Sequence, residues 1–203
     1  MSKQLIRDYI GALKNLYGIV SKEKVVEIYN IQNEEIINID QLNDSIDDDF
    51  LDKTFAYNVD NHIIDDYLEF EDIKYFLSQQ FNKPYYVPKK KELLKYKDSN
   101  YFEKTAYYRN LLTFVRKEMK INPQLAREIC EDIVLSVSME TGSFDGVFFE
   151  FERRQIQFRS EEQVIKMVDL VVELSNNNRL QENRGHTPNE LSKLHETPNI
   201  IMN

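Results

Sequence analysis

The chain has no tryptophan, one cysteine, three histidines and only five residues each of glycine and proline among its 203. Each scarcity excludes something. A lone cysteine, Cys130, cannot close an internal disulfide, and a free thiol fits a reducing cytoplasm, the expected location. So few glycines and prolines disfavour an all-β sandwich, which needs many tight turns. No apolar run approaches the roughly 20 residues of a transmembrane helix, so no membrane partner is expected. The glycines stand singly, which rules out a glycine-rich phosphate loop. His62, His186 and His195 lack paired metal-ligand spacing, and no nucleophile elbow gathers serine, histidine and aspartate. No cofactor is expected, and the chain leans away from catalysis. An unrecognised hydrolase stays as a third reading, to be favoured by perturbed carboxylates in a deep pocket.

What is present is an apolar, aromatic chain with 12 Tyr and 12 Phe and a net charge of −9. The charge is unevenly spread. Residues 40–72 hold 12 acids and one base, Lys53, whereas residues 73–117 hold 11 bases and three acids. Two surfaces of opposite sign are one consequence, and simple solvation is the other.

The N-terminal residues read as an amphipathic helix over 3–17, not a signal peptide, with Ile6, Tyr9, Ile10, Leu13, Leu16 and Tyr17 on one face. Gly18 ends it. Ser21 caps a second helix with Val25, Ile28 and Tyr29 inward. Asp40 can cap a third, IDQLNDSIDDDFLDK, with Leu42, Ile46, Phe50 and Leu51 inward. Two β-prone runs, 54–57 and 63–68, then flank 58–61 as a hairpin. Three helices and a hairpin predict a winged-helix-like unit over 1–70. Beyond it come a linker with short helices over 71–100, a helical C-terminal unit over 101–194, and a tail, 195–203.

The C-terminal unit begins with a helix over 101–119, on which Tyr101, Tyr108, Leu112, Val115 and Met119 share a face. Asn122 and Pro123 open the next, with Leu125, Ile129, Ile133, Val134 and Val137 inward, and Cys130 beside them as a small core residue. Thr141, Gly142 and Ser143 break it. Phe144, Val147, Phe148 and Phe151 suit a helix, although 147–151 also alternates like a strand. Ser160 and Gln163 form a capping box before a helix, 164–174, that is apolar nearly all round.

Chemistry tests the winged-helix expectation. A DNA reader puts its third helix in the major groove and its wing along phosphates. Here those elements carry Asp44, Asp47, Asp48, Asp49 and Asp52, then Asp60, Asp65 and Asp66, which repel phosphate where lysines would gain from counterion release. The eight aspartates are therefore the candidate surface for a protein partner with a basic surface, and the expected role is non-catalytic binding. Asp44–Asp52 lacks the sharp-turn glycine of a Ca²⁺ loop, and His62 with Asp65 and Asp66 reads as a hairpin edge kept soluble by charge rather than a metal site. The runner-up is a nucleic-acid-associated regulator using the basic segment 83–117, with Lys89, Lys90, Lys91 and Lys95 on phosphates, in a basic region, 73–117, that holds 11 Tyr and Phe rings.

The densest local signals lie at 174–194. Asn176, Asn177 and Asn178 suit a left-handed helix end. Gly185 suits a turn. Thr187, Pro188 and Glu190 make a capping box with proline at the first helical position. Arg179 and Arg184 can bind the preceding helix's last carbonyls. The alternative is that Asn178, Arg179, Asn183, Arg184 and His186 bind a ligand.

Three stretches, 13–30 (LKNLYGIVSKEKVVEIYN), 82–102 (NKPYYVPKKKELLKYKDSNYF) and 176–191 (NNNRLQENRGHTPNEL), resemble a family of uncharacterised helical proteins from low-GC Gram-positive bacteria and their mobile elements, some of which carry a cysteine-rich SEC-C zinc-binding tail. The resemblance implies a mainly helical fold, a binding or adaptor role, and a motif comprising Asn178, Arg179, Asn183, Arg184, Gly185, Thr187, Pro188 and Glu190. This chain has no cysteine after His195, so that zinc site cannot form. A mobile-element inhibitor filling the basic nucleic-acid channel of a host enzyme is one form of the expectation.

Overall fold

Ile6, Tyr9, Ile10, Leu13, Leu16 and Tyr17 recur every three or four residues, and all six are buried on one face of helix α1 (Lys3–Tyr17). Gly18, at φ 71°, closes that helix and turns the chain into strand β1 (Ile19–Ser21). Ser21 accepts the Lys24 amide and caps α2 (Lys22–Gln32), which buries Val25, Ile28 and Tyr29. The computed structural model describes residues 2–139 and 144–196. The chain divides into two units, one of residues 1–101 with 181–185, the other of residues 102–180 with 186–203.

The expected third helix is two helices, and its cap is not Asp40. Asn38 starts α3 (Ile39–Asn43) through a reciprocal box with Gln41. The chain then breaks, and Asp47 accepts the Phe50 amide to start α4 (Asp48–Thr54). An aspartate at the break satisfies an orphan N–H that a continuous helix would have used internally. Leu42 and Phe50 are buried, with Ile46 and Leu51 packed beside them.

The hairpin is β2 (Ala56–Val59) and β3 (His62–Asp65), joined through Asp60 and Asn61. Asp60 has φ 50°, as this kind of two-residue turn requires. β1 joins the hairpin as a third antiparallel strand that the sequence did not reveal. The sheet order is β1-β3-β2, with Ile19 opposite Ile64 and Ala56 opposite Asp65. The element order is that of a winged helix with its third helix split.

Alternation along β3 gives the sheet two packed faces. Ile63 and Ala56 join the core made by α1 and α2, whereas Ile64 and Ile19 meet Leu68 and Phe76. Phe76 comes from α5 (Ile73–Gln80). Residues 83–88 are extended, and α6 (Lys90–Leu93) runs into a 3₁₀ turn, Leu94–Lys97. Leu93 and Tyr96 complete the first core.

The other unit is helical. The helix expected over 101–119 begins later, at α7 (Ala106–Thr113), because Thr105 supplies the cap. A π turn, Phe114–Glu118, follows. Asn122 accepts the Leu125 amide and opens α8 (Pro123–Met139). The expected break at Thr141, Gly142 and Ser143 lies outside the described residues, as does 197–203 of the tail. Residues 145–152 form a helix, α9 (Asp145–Glu152), not a strand. α10 (Glu161–Asn176) is capped by Ser160, but the Gln163 side-chain oxygen accepts the Arg159 amide instead of completing the reciprocal box. It buries one face, Met167, Val171 and Leu174, while Ile165 and Val172 are exposed, so it is not apolar all round. Its C-cap Asn177 is at φ −122°, and no residue of 176–178 takes the expected left-handed conformation. A last helix, α11 (Pro188–Glu196), starts at Pro188.

Candidate functional site

The aspartates divide into two kinds. Asp44, Asp48, Asp49, Asp52, Asp60 and Asp66 are exposed. Asp49 pairs with Lys53 one turn on, a contact of little energetic weight at 71% and 70% side-chain exposure. Asp47 is exposed too, but it caps α4 and pairs with Arg7 and Lys3. The Phe50 amide hydrogen bond is the main cause holding its carboxyl below the usual range, with the Arg7 guanidinium adding to it.

Asp65 does not belong to the surface where the sequence placed it. It is 8% exposed, and its Oδ2 lies 2.9 Å from Nζ of Lys14, itself 1% exposed. Residue 65 faces inward because β3 alternates and Ile63 must also face that core. Burial pushes the Asp65 carboxyl up, and Lys14 opposes the shift only in part. The Lys14 ammonium also donates to the carbonyls of Thr54 and Phe55 at 2.9 and 3.3 Å. One buried lysine thus ties α1 to the end of α4 and to β3.

Sequence reasoning missed the rings beside the exposed acids. Phe55 is the C-cap of α4 in a left-handed conformation, φ 53° and ψ 59°, and is 60% exposed. Its N–H donates to the Asp52 carbonyl, and its own carbonyl accepts the Asp66 amide. Two residues along the edge strand, Tyr57 is 43% exposed and stacks on Phe70, 63% exposed, with ring centres 5.7 Å apart. Phe70 lies between exposed Glu69 and Glu71. Aromatic residues are assigned to the core by default, which hid them.

The lysines of the basic segment have mixed duties. Lys90 donates to Asn33, and Lys95 pairs with Glu92 beside the Tyr101 ring. Lys89 and Lys91 are exposed and make no ion pair among the described residues. Lys83 is half-buried and donates to the Asn183 side chain at 2.6 Å and the Glu182 carbonyl at 3.1 Å.

The polar groups of 178–190 serve the fold. Within the first unit, Arg184 donates to the Lys83 carbonyl and stacks 4.3 Å from the Tyr85 ring centre. Gly185 sits at φ 79°, where an added Cβ would lie 3.0 to 3.1 Å from Leu16 and Tyr17 side chains. Within the second, Asn178 donates to the Val134 carbonyl, and Thr187 and Glu190 exchange both capping-box bonds. Arg179 is held by two carboxylates, a pairing the sequence did not reveal. It joins Glu103 and Glu190, each at 2.8 Å, because a carboxylate binds a buried guanidinium more strongly than a carbonyl does. Burial, opposed in part by Glu190, lowers the pKa of His186.

Among the described residues, no three His, Cys, Asp or Glu side chains are placed to hold a metal ion. Cys130 is fully buried, and burial pushes its thiol up to about 12. A cavity of about 510 Å³ in the second unit is walled by Phe148, Phe151, Ile156 and Phe158 with Glu152 at its edge. Another of about 500 Å³ in the first unit lies over Gly11 between Arg7, Asp8 and Lys53. Neither contains histidine, cysteine or serine. No described helix is long and apolar enough to cross a membrane. No protein-family model, no curated protein and no solved structure matches the chain.

Proposed function

We propose that the chain is a non-catalytic protein-binding factor that meets a basic partner through the outer side of α4 and the hairpin. The observation that carries this reading is the exposure of Asp44, Asp48, Asp49, Asp52, Asp60 and Asp66 on the elements a winged-helix DNA reader turns towards phosphate. Carboxylates there repel a duplex and attract a cationic protein face, and the complementarity speeds encounter and rejects wrong partners. The resemblance to mobile-element proteins supports an inhibitor or adaptor role. The test is affinity capture from a lysate of the native host, with and without nuclease, using the natural chain and a D44K/D48K/D52K variant. Basic proteins retained by the natural chain despite nuclease, and lost by the variant, are expected. Identical capture by both overturns the reading.

A second reading rests on Lys89 and Lys91, which are exposed and make no ion pair among the described residues. It gives a nucleic-acid-associated regulator whose affinity falls steeply with salt. Absence of DNA or RNA retardation at low salt removes it.

A further inference from the structure

The three exposed rings are placed where the proposed acidic surface needs an anchor. Charge sets encounter rate and orientation, whereas affinity concentrates in a few aromatic or arginine contacts. Phe55, Tyr57 and Phe70 follow the edge strand and the segment after β3, and Phe55 and Phe70 have carboxylates close in the backbone. Asp52 and Asp66 flank Phe55 through main-chain hydrogen bonds, and Glu69 and Glu71 flank Phe70. Phe55 is presented at a cost, since a non-glycine residue with φ 53° is strained. A glycine or asparagine would end α4 more favourably, so the ring is kept against local preference.

We propose that this strip binds an arginine-bearing peptide segment of the partner, with guanidinium groups lying on the rings and their charge met by Asp52, Asp66 and Glu69. The inference rests on the protein-binding reading above and specifies its partner. Planar guanidinium stacks on an aromatic face and pairs with a carboxylate at once, which a lysine ammonium does less well. The protein already uses this arrangement internally, with Arg7 5.1 Å from the Phe50 ring centre and paired with Asp47. A second copy of the chain is a poor occupant, because two such surfaces would oppose acid to acid. An anionic membrane or nucleic acid is repelled for the same reason.

The test measures binding of three nine-residue peptides to the full chain at low salt: one with four arginines, one with lysines in their place, and one with neutral citrullines. The natural chain is expected to bind the arginine peptide about three- to five-fold more tightly than the lysine peptide, and the citrulline peptide weakly or not at all. The F55L/Y57L/F70L variant keeps apolar area but loses the π faces, and is expected to bind both charged peptides equally. F55G is expected to raise the melting temperature while weakening the arginine peptide, which separates lost binding from lost folding. D44K/D48K/D52K should weaken both charged peptides. An arginine preference that survives F55L/Y57L/F70L overturns the strip and leaves the acidic-surface reading standing if D44K/D48K/D52K still loses affinity. No binding of either charged peptide by the natural chain overturns both.

Discussion

On paper, the stretches 40–66 and 176–191 are the two polar, turn-rich parts of the chain that look most like binding sites. The structure treats them oppositely. In 176–191 almost every distinctive side chain is occupied within the fold. Asn178 holds a carbonyl of α8, Arg179 joins Glu103 to Glu190, Thr187 caps α11, and Arg184 braces the extended segment at Lys83 and Tyr85. Of the eight candidate aspartates in 40–66, Asp47 and Asp65 carry comparable loads, and the others face outward. Asparagine, threonine and arginine can satisfy orphan main-chain and carboxylate groups, so a motif built from them stabilises the fold. A run of aspartates has few such partners within reach, so most of it is left for solvent or another molecule.

Six single substitutions, one double substitution and one titration would break or sharpen that contrast. The largest effect is expected inside the acidic stretch, at its one buried member. Lys14→Ala leaves Asp65 buried without its counter-charge and should cost about 3–5 kcal/mol in denaturant unfolding. The Lys14→Met/Asp65→Leu pair should recover most of that loss. Gly185→Val forces a branched side chain into φ 79° and against Leu16 and Tyr17, and should cost about 3 kcal/mol. Thr187→Ala removes a cap and should cost about 1 kcal/mol by thermal melting. His186 has a folded pKa below its unfolded value, so its contribution is complete when both states are neutral. It should be lost as pH falls through about 6.5, where the unfolded chain takes up the proton first. His186→Asn should flatten that part of the stability profile. The smallest effect belongs to Asp48→Lys and Asp52→Lys, each within about 0.5 kcal/mol of the natural chain. A large loss there would mean these aspartates work for the fold and would erase the distinction.

What could be read beforehand followed the range of the physical signal. α1, α2 and α8 were legible because their apolar residues repeat at the helical period and their caps lie next to them in sequence. Thr187 and Glu190 were legible for the same reason. The split between α3 and α4 was not, since any of several aspartates suits a helix surface as well as a cap, and Asp47 is chosen by where Leu42 and Phe50 must both point inward. β1 is three residues long, too short to show alternation. Asp65 counted as surface charge because its partner, Lys14, lies on a distant helix. Phe55, Tyr57 and Phe70 were invisible as a site, because composition says that rings fill cores and cannot say which are left outside.

The five residues 181–185 belong with the first unit although they follow nearly all of the second in the chain. The Gln181 side-chain amide donates to the Asn15 carbonyl, its oxygen accepts the Tyr67 hydroxyl, and its main-chain carbonyl accepts from Gln80. During synthesis these groups must wait for a segment that leaves the ribosome about eighty residues after Tyr101, a matter of several seconds at ordinary elongation rates. A gene cut between Tyr101 and Phe102 would therefore yield no finished N-terminal half, and supplying 181–185 through a short fused linker is the way to make one.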